Sequence, residues 1–214
     1  MNYSKKISLE QIQEIKEVEY FKDTQYSNLD IAATLDFYTN RYVRQLSDFL
    51  EVTNKTVVAD VGAGFGWLSI AFVMSTEAKV IAIELNKPRL DAAKKIATIL
   101  GVNDKIEFRY GMLGELPLEE MEADVSYCIE VLEHVQRDPK TVQDLCRVTR
   151  NLLVVTTPNL WFPVIAHDTQ LPFCHWLPFP IRKVYAKVFK RTDRENDNLF
   201  WSPKSLSKNM KGFA

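Results

Sequence analysis

Residues 58–69 read VADVGAGFGWLS, in which a short β-rich run is followed by three alternating glycines and then by an apolar run. This order is typical of a buried strand that turns sharply into a helix. Gly62, Gly64 and Gly66 would allow the tight turn and would bring backbone N–H groups and the helix N-terminus close to a ligand. The stretch therefore predicts a strand–turn–helix unit whose turn is a binding site.

The alternation of strand and helix patterns continues to about residue 157. Repeated βα units imply a mainly parallel, doubly wound sheet with right-handed crossovers, which is an α/β fold of the Rossmann-like class. The last strand, 152–156, is apolar throughout, and we expect it to be covered on both faces. The predicted strands are 56–61, 79–84, 106–110, 123–129 and 152–156, and the helices between them start near positions 67, 86 and 138.

A chain of 214 residues is long enough for one domain and its core. We divide this single domain into an N-terminal helical cap at 1–54, a ligand-binding βα core at 55–157, and a segment rich in proline and aromatic residues at 158–214. Outside the βα core, helices are predicted after Ser8, at about 27–50, at 181–191 and after Ser202.

The composition argues against several classes of protein. The formal net charge of −1 provides no general attraction to nucleic acid. The basic C-terminal third keeps nucleic-acid binding as a minor alternative. No apolar run approaches the roughly 18 residues of a membrane span, and the polar start does not resemble a signal peptide. The three cysteines, at positions 128, 146 and 174, lack a CxxC spacing. We therefore expect a cytoplasmic protein with no zinc site.

The acid at the end of the second predicted strand supports a nucleoside ligand. Glu84 can accept hydrogen bonds from both hydroxyls of a ribose. A dinucleotide-binding GxGxxG turn would need a third glycine at position 67, where this chain has Trp67. The GxGxG spacing is the form used for S-adenosylmethionine, which has no phosphate. A nicotinamide-dependent oxidoreductase and a purely structural glycine turn are the alternatives.

Two segments resemble the class I S-adenosylmethionine-dependent methyltransferases. Residues 58–66 look like motif I of that family, and residues 129–135, IEVLEHV, resemble the motif after the fourth strand in its ubiquinone- and menaquinone-biosynthesis type. The resemblance covers roughly residues 35–159 and concerns the superfamily and its cofactor. It implies that the ligand-binding residues are Asp60, Gly62, Ala63, Gly64, Gly66, Glu84, Leu85, Met112, Leu113 and Ile129.

Within this resemblance, each part of the ligand has its own residues. Asp60 would organise the loop near the amino group, Glu84 would hold the ribose, and Leu85 would pack on the adenine. The chain departs from the family at Met112, where an acid often meets the adenine amine. It departs again at Gly212, which resembles the start of the hairpin that usually completes a seven-stranded sheet, because the sequence ends two residues later. Either the sequence is a fragment of a longer protein, or the sheet lacks its last two strands.

Candidate bases follow the fourth and fifth predicted strands, at the sheet edge where such folds bind ligands. They are His134, His167, Asp168 and His175. A methyl acceptor with a hydroxyl group would benefit from a base, although each of these residues is also explained as a structural hydrogen-bonding group. Their spacing matches no standard metal site, so no metal is expected.

These features predict transfer of a methyl group from S-adenosylmethionine to a hydroxyl oxygen of a small-molecule, glycan-linked or lipid-linked acceptor. Tyr20, Phe21 and Tyr26 would be lid contacts. A binding or scaffold protein with the same fold but without activity is an alternative. The stretch 181–191 has a basic amphipathic pattern, which fits either a membrane surface or a helix packed on the domain.

Overall fold

A computed structural model of the chain describes residues 6–135, 138–164, 169–191 and 200–210. Its centre is a sheet of five parallel strands in the order β3-β2-β1-β4-β5, so the predicted Rossmann-like α/β fold is confirmed. The strand order reverses between β1 and β4, where open α/β sheets bind their ligands. The strands are β1 (Val57–Val61), β2 (Lys79–Glu84), β3 (Ile106–Tyr110), β4 (Ala123–Ile129) and β5 (Thr149–Thr156).

Helices cover both faces of the sheet because the central strands alternate their side chains between two cores. Val58 and Val80 point into one core, which also contains the N-terminal helices, whereas Ala59 and Ile81 point into the other. The helices are α1 (Leu9–Lys16), α2 (Ile31–Tyr38), α3 (Arg44–Leu46), α4 (Trp67–Ser75), α5 (Lys87–Ile99), α6 (Pro139–Val148), α7 (Phe179–Val188) and α8 (Pro203–Asn209).

Side-chain caps start several of these helices where the sequence predicts them. Ser8 and Gln11 form a reciprocal capping box at α1, and Ser202 forms another at α8. Asp138 caps α6, which begins at a proline. The second predicted helix is shorter than 27–50, because Asp30 caps α2 only after a 3₁₀ turn at Gln25–Asn28, and a π-helical turn at Thr39–Val43 separates α2 from α3.

The last strand packs on both faces, as expected, although only partly: Leu152 and Val154 pack against the first core, and Leu153 and Val155 against the second. Strand β5 pairs with β4 alone and lies at an edge of the sheet that the described residues form. Five of its eight residues are half-buried and two are exposed. An apolar strand sequence shows that burial is favourable, but it does not specify which neighbours provide that burial.

The C-terminal part folds back against the end of the sheet. Asn159 forms a parallel bridge with Trp201, whose indole is 3 % exposed and packs in the second core. Within the ranges described, no helix is long and apolar enough to cross a membrane. Gly212, at which the missing hairpin is expected to begin, lies outside the described residues.

Candidate active site

The glycine turn after β1 has a backbone path that only glycine adopts easily. Gly62, Gly64 and Gly66 have φ angles of +75°, +60° and +78°. The backbone N–H groups of Gly62 and Ala63 both donate to the carbonyl of Ile83, at 2.8 and 2.9 Å, so the turn is held against β2. The remaining N–H groups of the turn and the start of α4 therefore have a fixed place at the carboxyl edge of the sheet.

Glu84, the last residue of β2, connects the glycine turn to the start of α5. One carboxylate oxygen accepts from the backbone N–H of Gly64 at 2.9 Å, and the other accepts from that of Asn86 at 2.8 Å. The residue is 7 % exposed. Each carboxylate oxygen can accept a further hydrogen bond, which fits the vicinal hydroxyls of a ribose.

Two apolar side chains flank this acid at the strand ends. Leu85 and Met112, after β2 and β3, are 53 % and 47 % exposed, so both side chains are accessible to a ligand at the carboxyl edge of the sheet. Both are predicted ligand contacts and suit a flat heteroaromatic ring. Leu113 is instead buried in the second core, and Ile129, also a predicted contact, is half-buried against the first.

Asp60 lies under the turn rather than on its open side. It is 4 % exposed, and its Oδ2 accepts from both the backbone N–H and the hydroxyl of Ser69, at 3.1 and 2.7 Å. These bonds connect β1 to the first turn of α4. Burial raises the pKa of Asp60 to about 6, with a smaller contribution from the charge on Glu84, although the bonds from Ser69 act in the opposite direction.

This raised pKa predicts how stability depends on pH. An ordinary aspartate titrates near 3.8 and Asp60 near 6, so the folded state binds more protons between these values. The stability that protonated Asp60 contributes is complete below the lower value and is lost as the pH rises through about 6. We therefore expect the free energy of unfolding of Asp60→Asn, taken relative to that of the wild type, to increase by about 2–3 kcal/mol from pH 4 to pH 7. Urea unfolding at each pH measures this change. Asp48→Asn, at an exposed position, is the control. If the unfolding free energies of the wild type and Asp60→Asn change with pH in the same way, the raised pKa of Asp60 is contradicted.

A cavity of about 610 Å³ opens between the glycine turn and the N-terminal helices. Two of its lining residues have buried N–H donors that make no hydrogen bond with the protein, namely Trp67 at Nε1 and Arg89 at Nε. Both nitrogens are closed off from solvent, but the partly buried Arg89 places its positive charge at the cavity wall, which suits a ligand group with acceptor oxygens, such as a carboxylate. The other lining residues are Tyr26, Leu29, Asp30, Ala33, Thr34, Phe37, Tyr38, Gly62, Ala63, Gly64 and Phe65.

The sequence analysis missed several residues of this cavity. Arg89 lies 5.7 Å from the ring centroid of Phe65 and approaches Gly64 with its aliphatic part. Its position in the first turn of α5, just after β2, is the signal that could have indicated it. Tyr38 also lines the cavity, and burial, followed by the charge on Asp60, raises its pKa to about 12, so its hydroxyl stays protonated.

The predicted lid residues are placed differently from one another. Tyr26 lines the cavity and packs on Phe65. Tyr20 is half-buried, and its hydroxyl accepts a hydrogen bond from the Asn86 amide. Phe21 is completely buried in the first core, where it cannot reach a ligand, so that expectation is wrong.

Of the four candidate bases, the structure describes His134 and His175. His134 is exposed in a 3₁₀ turn after β4, and His167 and Asp168 lie outside the described residues. His175 is half-buried, and its Nε2 donates to the carbonyl of Leu160 at 3.0 Å. This hydrogen bond holds the imidazole ring in place, so His175 has a structural role in addition to its predicted one.

Glu133 is a buried acid that precedes His134 in the chain and is not among the predicted site residues. It is 2 % exposed, and its Oε2 accepts from the Thr157 hydroxyl at 3.1 Å, which ties the end of β4 to the end of β5. Burial raises the pKa of Glu133 above its usual range. Cys128, deep in the sheet, also has a raised pKa because of burial, and it packs as a small apolar residue.

Comparison with known proteins relates the βα core of the chain to methyltransferases. Residues 58–151 match the family model of the methyltransferase domain. The 27-O-demethylrifamycin SV methyltransferase of Amycolatopsis mediterranei is 26 % identical over 121 residues, which are 56 % of this chain and 44 % of that protein. The ribosomal protein L11 methyltransferase of Escherichia coli is 38 % identical over 81 residues, 38 % of this chain and 26 % of that protein. The chain thus spans less than half the length of these curated relatives.

A solved structure extends the similarity of fold beyond that segment. The geranyl diphosphate C-methyltransferase from Streptomyces coelicolor superposes with a TM-score of 0.58 at 14 % identity, covering 88 % of this chain and 64 % of that one. At this identity the match concerns the fold alone.

Proposed function

We propose that the chain is a class I, S-adenosylmethionine-dependent methyltransferase, which transfers a methyl group from S-adenosylmethionine to a small-molecule, glycan-linked or lipid-linked acceptor. The match of residues 58–151 to the methyltransferase domain supports this proposal. The observation that carries the proposal is the position of Glu84. Its carboxylate accepts a hydrogen bond from the Gly64 N–H, which holds the end of β2 against the turn after β1. One ligand can therefore meet the acceptor oxygens of Glu84 and the N–H donors of the turn.

The described residues fit S-adenosylmethionine part by part. The Glu84 carboxylate would accept from the ribose hydroxyls, and Leu85 and Met112 would contact the adenine. The Arg89 guanidinium at the cavity wall suits the carboxylate of the methionine part. The cofactor supplies a methyl group on a positively charged sulfur, and the protein has to align the acceptor and exclude water.

The cavity wall supports an acceptor with a ring. Phe37 and Tyr38 from α2 and Tyr26 from the preceding turn face the glycine turn across the cavity. Aromatic side chains, two of which carry hydroxyl groups, suit a sugar or a quinone-like ring. A hydroxyl oxygen is our preferred acceptor atom because candidate bases follow β4 and β5. The candidate bases are His134, His167, Asp168 and His175, and a catalytic role for each of them is part of this proposal.

Replacing Arg89 tests the carboxylate contact. Arg89→Met keeps the apolar stem on Phe65 and removes the charge, so we expect S-adenosylhomocysteine to bind about tenfold to a hundredfold more weakly. The affinity for 5′-deoxy-5′-methylthioadenosine, which lacks the amino acid part, should be unchanged. Isothermal titration of both ligands measures this, with exposed Arg41→Met as the control. Equal losses for the two ligands would instead indicate a structural role for Arg89.

The proposed activity is tested with S-adenosylmethionine labelled in its methyl group. Acceptors with a hydroxyl group, an amine or a nucleophilic carbon are each incubated with the protein. The amount of label transferred to the acceptor and the amount of S-adenosylhomocysteine formed are then measured. We expect both products to appear in equal amounts with a hydroxyl acceptor. Tight S-adenosylhomocysteine binding without transfer to any acceptor would favour the scaffold alternative. Binding of NAD alone would favour an oxidoreductase.

A further inference from the structure

Helix α7 exposes its apolar side to solvent. Ile181, Val184 and Val188 are 54 %, 62 % and 69 % exposed, and their spacing puts them on one side of the helix. The residues of α7 that are buried are Arg182 and Ala186. A helix packed on its own domain usually has the reverse arrangement, with the apolar stripe inside. The apolar side of α7 is therefore available to something outside the described part of the chain.

The loop before α7 adds exposed aromatic rings. Trp161 and Trp176 are 64 % and 45 % exposed, with ring centroids 6.3 Å apart, and Phe173 lies 5.0 Å from Trp176. The Trp176 indole donates to the carbonyl of Leu160 at 2.6 Å, which holds the group in place. Exposed tryptophan and phenylalanine rings are typical of side chains that lie at the boundary between lipid headgroups and acyl chains.

This loop and α7 are parts of one small structural unit. Leu171 and Cys174 from the loop pack with Ala186 of α7 in a buried cluster. The loop leaves from the carboxyl end of β5, which is the edge of the sheet that carries the glycine turn. We call the exposed part of this unit the α7 face, meaning Trp161, Phe173, Trp176, Ile181, Val184 and Val188.

The charge around the α7 face selects its partner. Residues 169–191 contain five lysines and arginines and no acid, in a chain whose formal net charge is −1. Lys183 and Lys187 are exposed on α7, and the Lys183 ammonium lies 4.4 Å from the ring centroid of Phe179. A second copy of this face would bring like charges together. An anionic lipid surface instead satisfies both the basic and the apolar side chains.

We propose that the α7 face docks on the surface of an anionic lipid bilayer, with α7 lying in the plane of the interface. Ile181, Val184 and Val188 then enter the outer acyl region, and Lys183 and Lys187 contact the phosphates. The proposal does not depend on methyl transfer. Combined with that activity, it would bring the catalytic edge of the sheet close to a lipid-linked acceptor.

Vesicle flotation and tryptophan emission test the docking on the unaltered chain. We expect the protein to float with vesicles of phosphatidylcholine and phosphatidylglycerol, to remain unbound with phosphatidylcholine alone, and to dissociate at high salt. Its tryptophan emission should shift to shorter wavelength on binding, because Trp161 and Trp176 leave water. Absence of flotation, or equal flotation with both kinds of vesicle, would overturn the proposal.

Paired variants test the apolar contact. Val184→Ser/Val188→Ser should lower the partition coefficient by at least about tenfold. Leu9→Ser/Phe49→Ser removes two apolar residues that are similarly exposed, at 81 % and 74 %, on another part of the protein and should have no effect. Circular dichroism and gel filtration verify that each variant is folded. Equal effects of the two pairs would overturn the proposal, as would loss of a dimer, rather than of vesicle binding, in the valine pair.

A second pair tests the electrostatic part. Lys183→Gln/Lys187→Gln should weaken binding to the anionic vesicles by about thirtyfold. Lys16→Gln/Lys22→Gln makes the same change in net charge at exposed positions of the N-terminal region and should have little effect. Equal weakening by both pairs would mean that total charge, and not the α7 face, determines the binding.

Discussion

Replacing Glu84 by alanine is expected to weaken S-adenosylhomocysteine binding by about a hundredfold or more. Hydrogen bonds to a buried carboxylate contribute about 1.5–3 kcal/mol each, and two ribose hydroxyls lose their acceptor together. The carboxylate also holds the N–H groups of Gly64 and Asn86, so its loss loosens the turn as well. Isothermal titration measures the affinity.

Two comparisons separate the contact with the ribose from the effect on the turn. Glu84→Gln keeps one acceptor oxygen, and we expect it to lose less affinity than the alanine variant. Adenosine and 2′,3′-dideoxyadenosine, compared by ligand-observed NMR, should differ in affinity for the wild type but not for Glu84→Ala. Glu77→Ala removes an exposed acid and is the control. An unchanged affinity of Glu84→Ala for S-adenosylhomocysteine would contradict the proposed binding site.

Replacing Gly62 by alanine is expected to destabilise the fold by about 2–4 kcal/mol. The residue has a φ of +75°, which costs a side chain about 1–2 kcal/mol, and an added Cβ would lie 2.4 Å from Cγ2 of Val131. Val131 follows β4, so the steric clash would lie between the carboxyl ends of the neighbouring strands β1 and β4. Urea unfolding with a constant m-value measures the loss.

Gly101 provides a matched control for this prediction. Its φ is +70°, and nothing lies within 4 Å of an added Cβ, so Gly101→Ala reports the backbone cost alone. The difference between the two alanine variants is the cost of the overlap, and Val131→Ala should reduce that cost when combined with Gly62→Ala. If Gly62→Ala and Gly101→Ala are equally destabilising, the close contact between the turn and Val131 is not present in solution.

The sequence predicts local features of this fold well. Strands β2, β3 and β4 have the bounds that their apolar runs indicate, because turn residues flank each run. The glycine turn and Glu84 are found for a similar reason, since a positive φ and a strand-terminal acid leave a local signature.

Features that depend on contacts between distant segments are not predicted. The edge position of β5 depends on which strands pair with it, and the cavity wall from α2 depends on how the N-terminal helices pack on α4. The apolar stripe of α7 is visible in the sequence, yet periodicity shows only that one side is apolar and not which side faces the domain. The free donors of Trp67 and Arg89 are likewise visible only in three dimensions.

A crystal structure of the chain with S-adenosylhomocysteine tests the central claim most directly. We expect the ribose hydroxyls within hydrogen-bonding distance of the Glu84 carboxylate, the adenine between Leu85 and Met112, and the amino acid part at Gly62–Gly64. An adenosyl ligand bound away from the carboxyl ends of β1 and β2 would contradict the account.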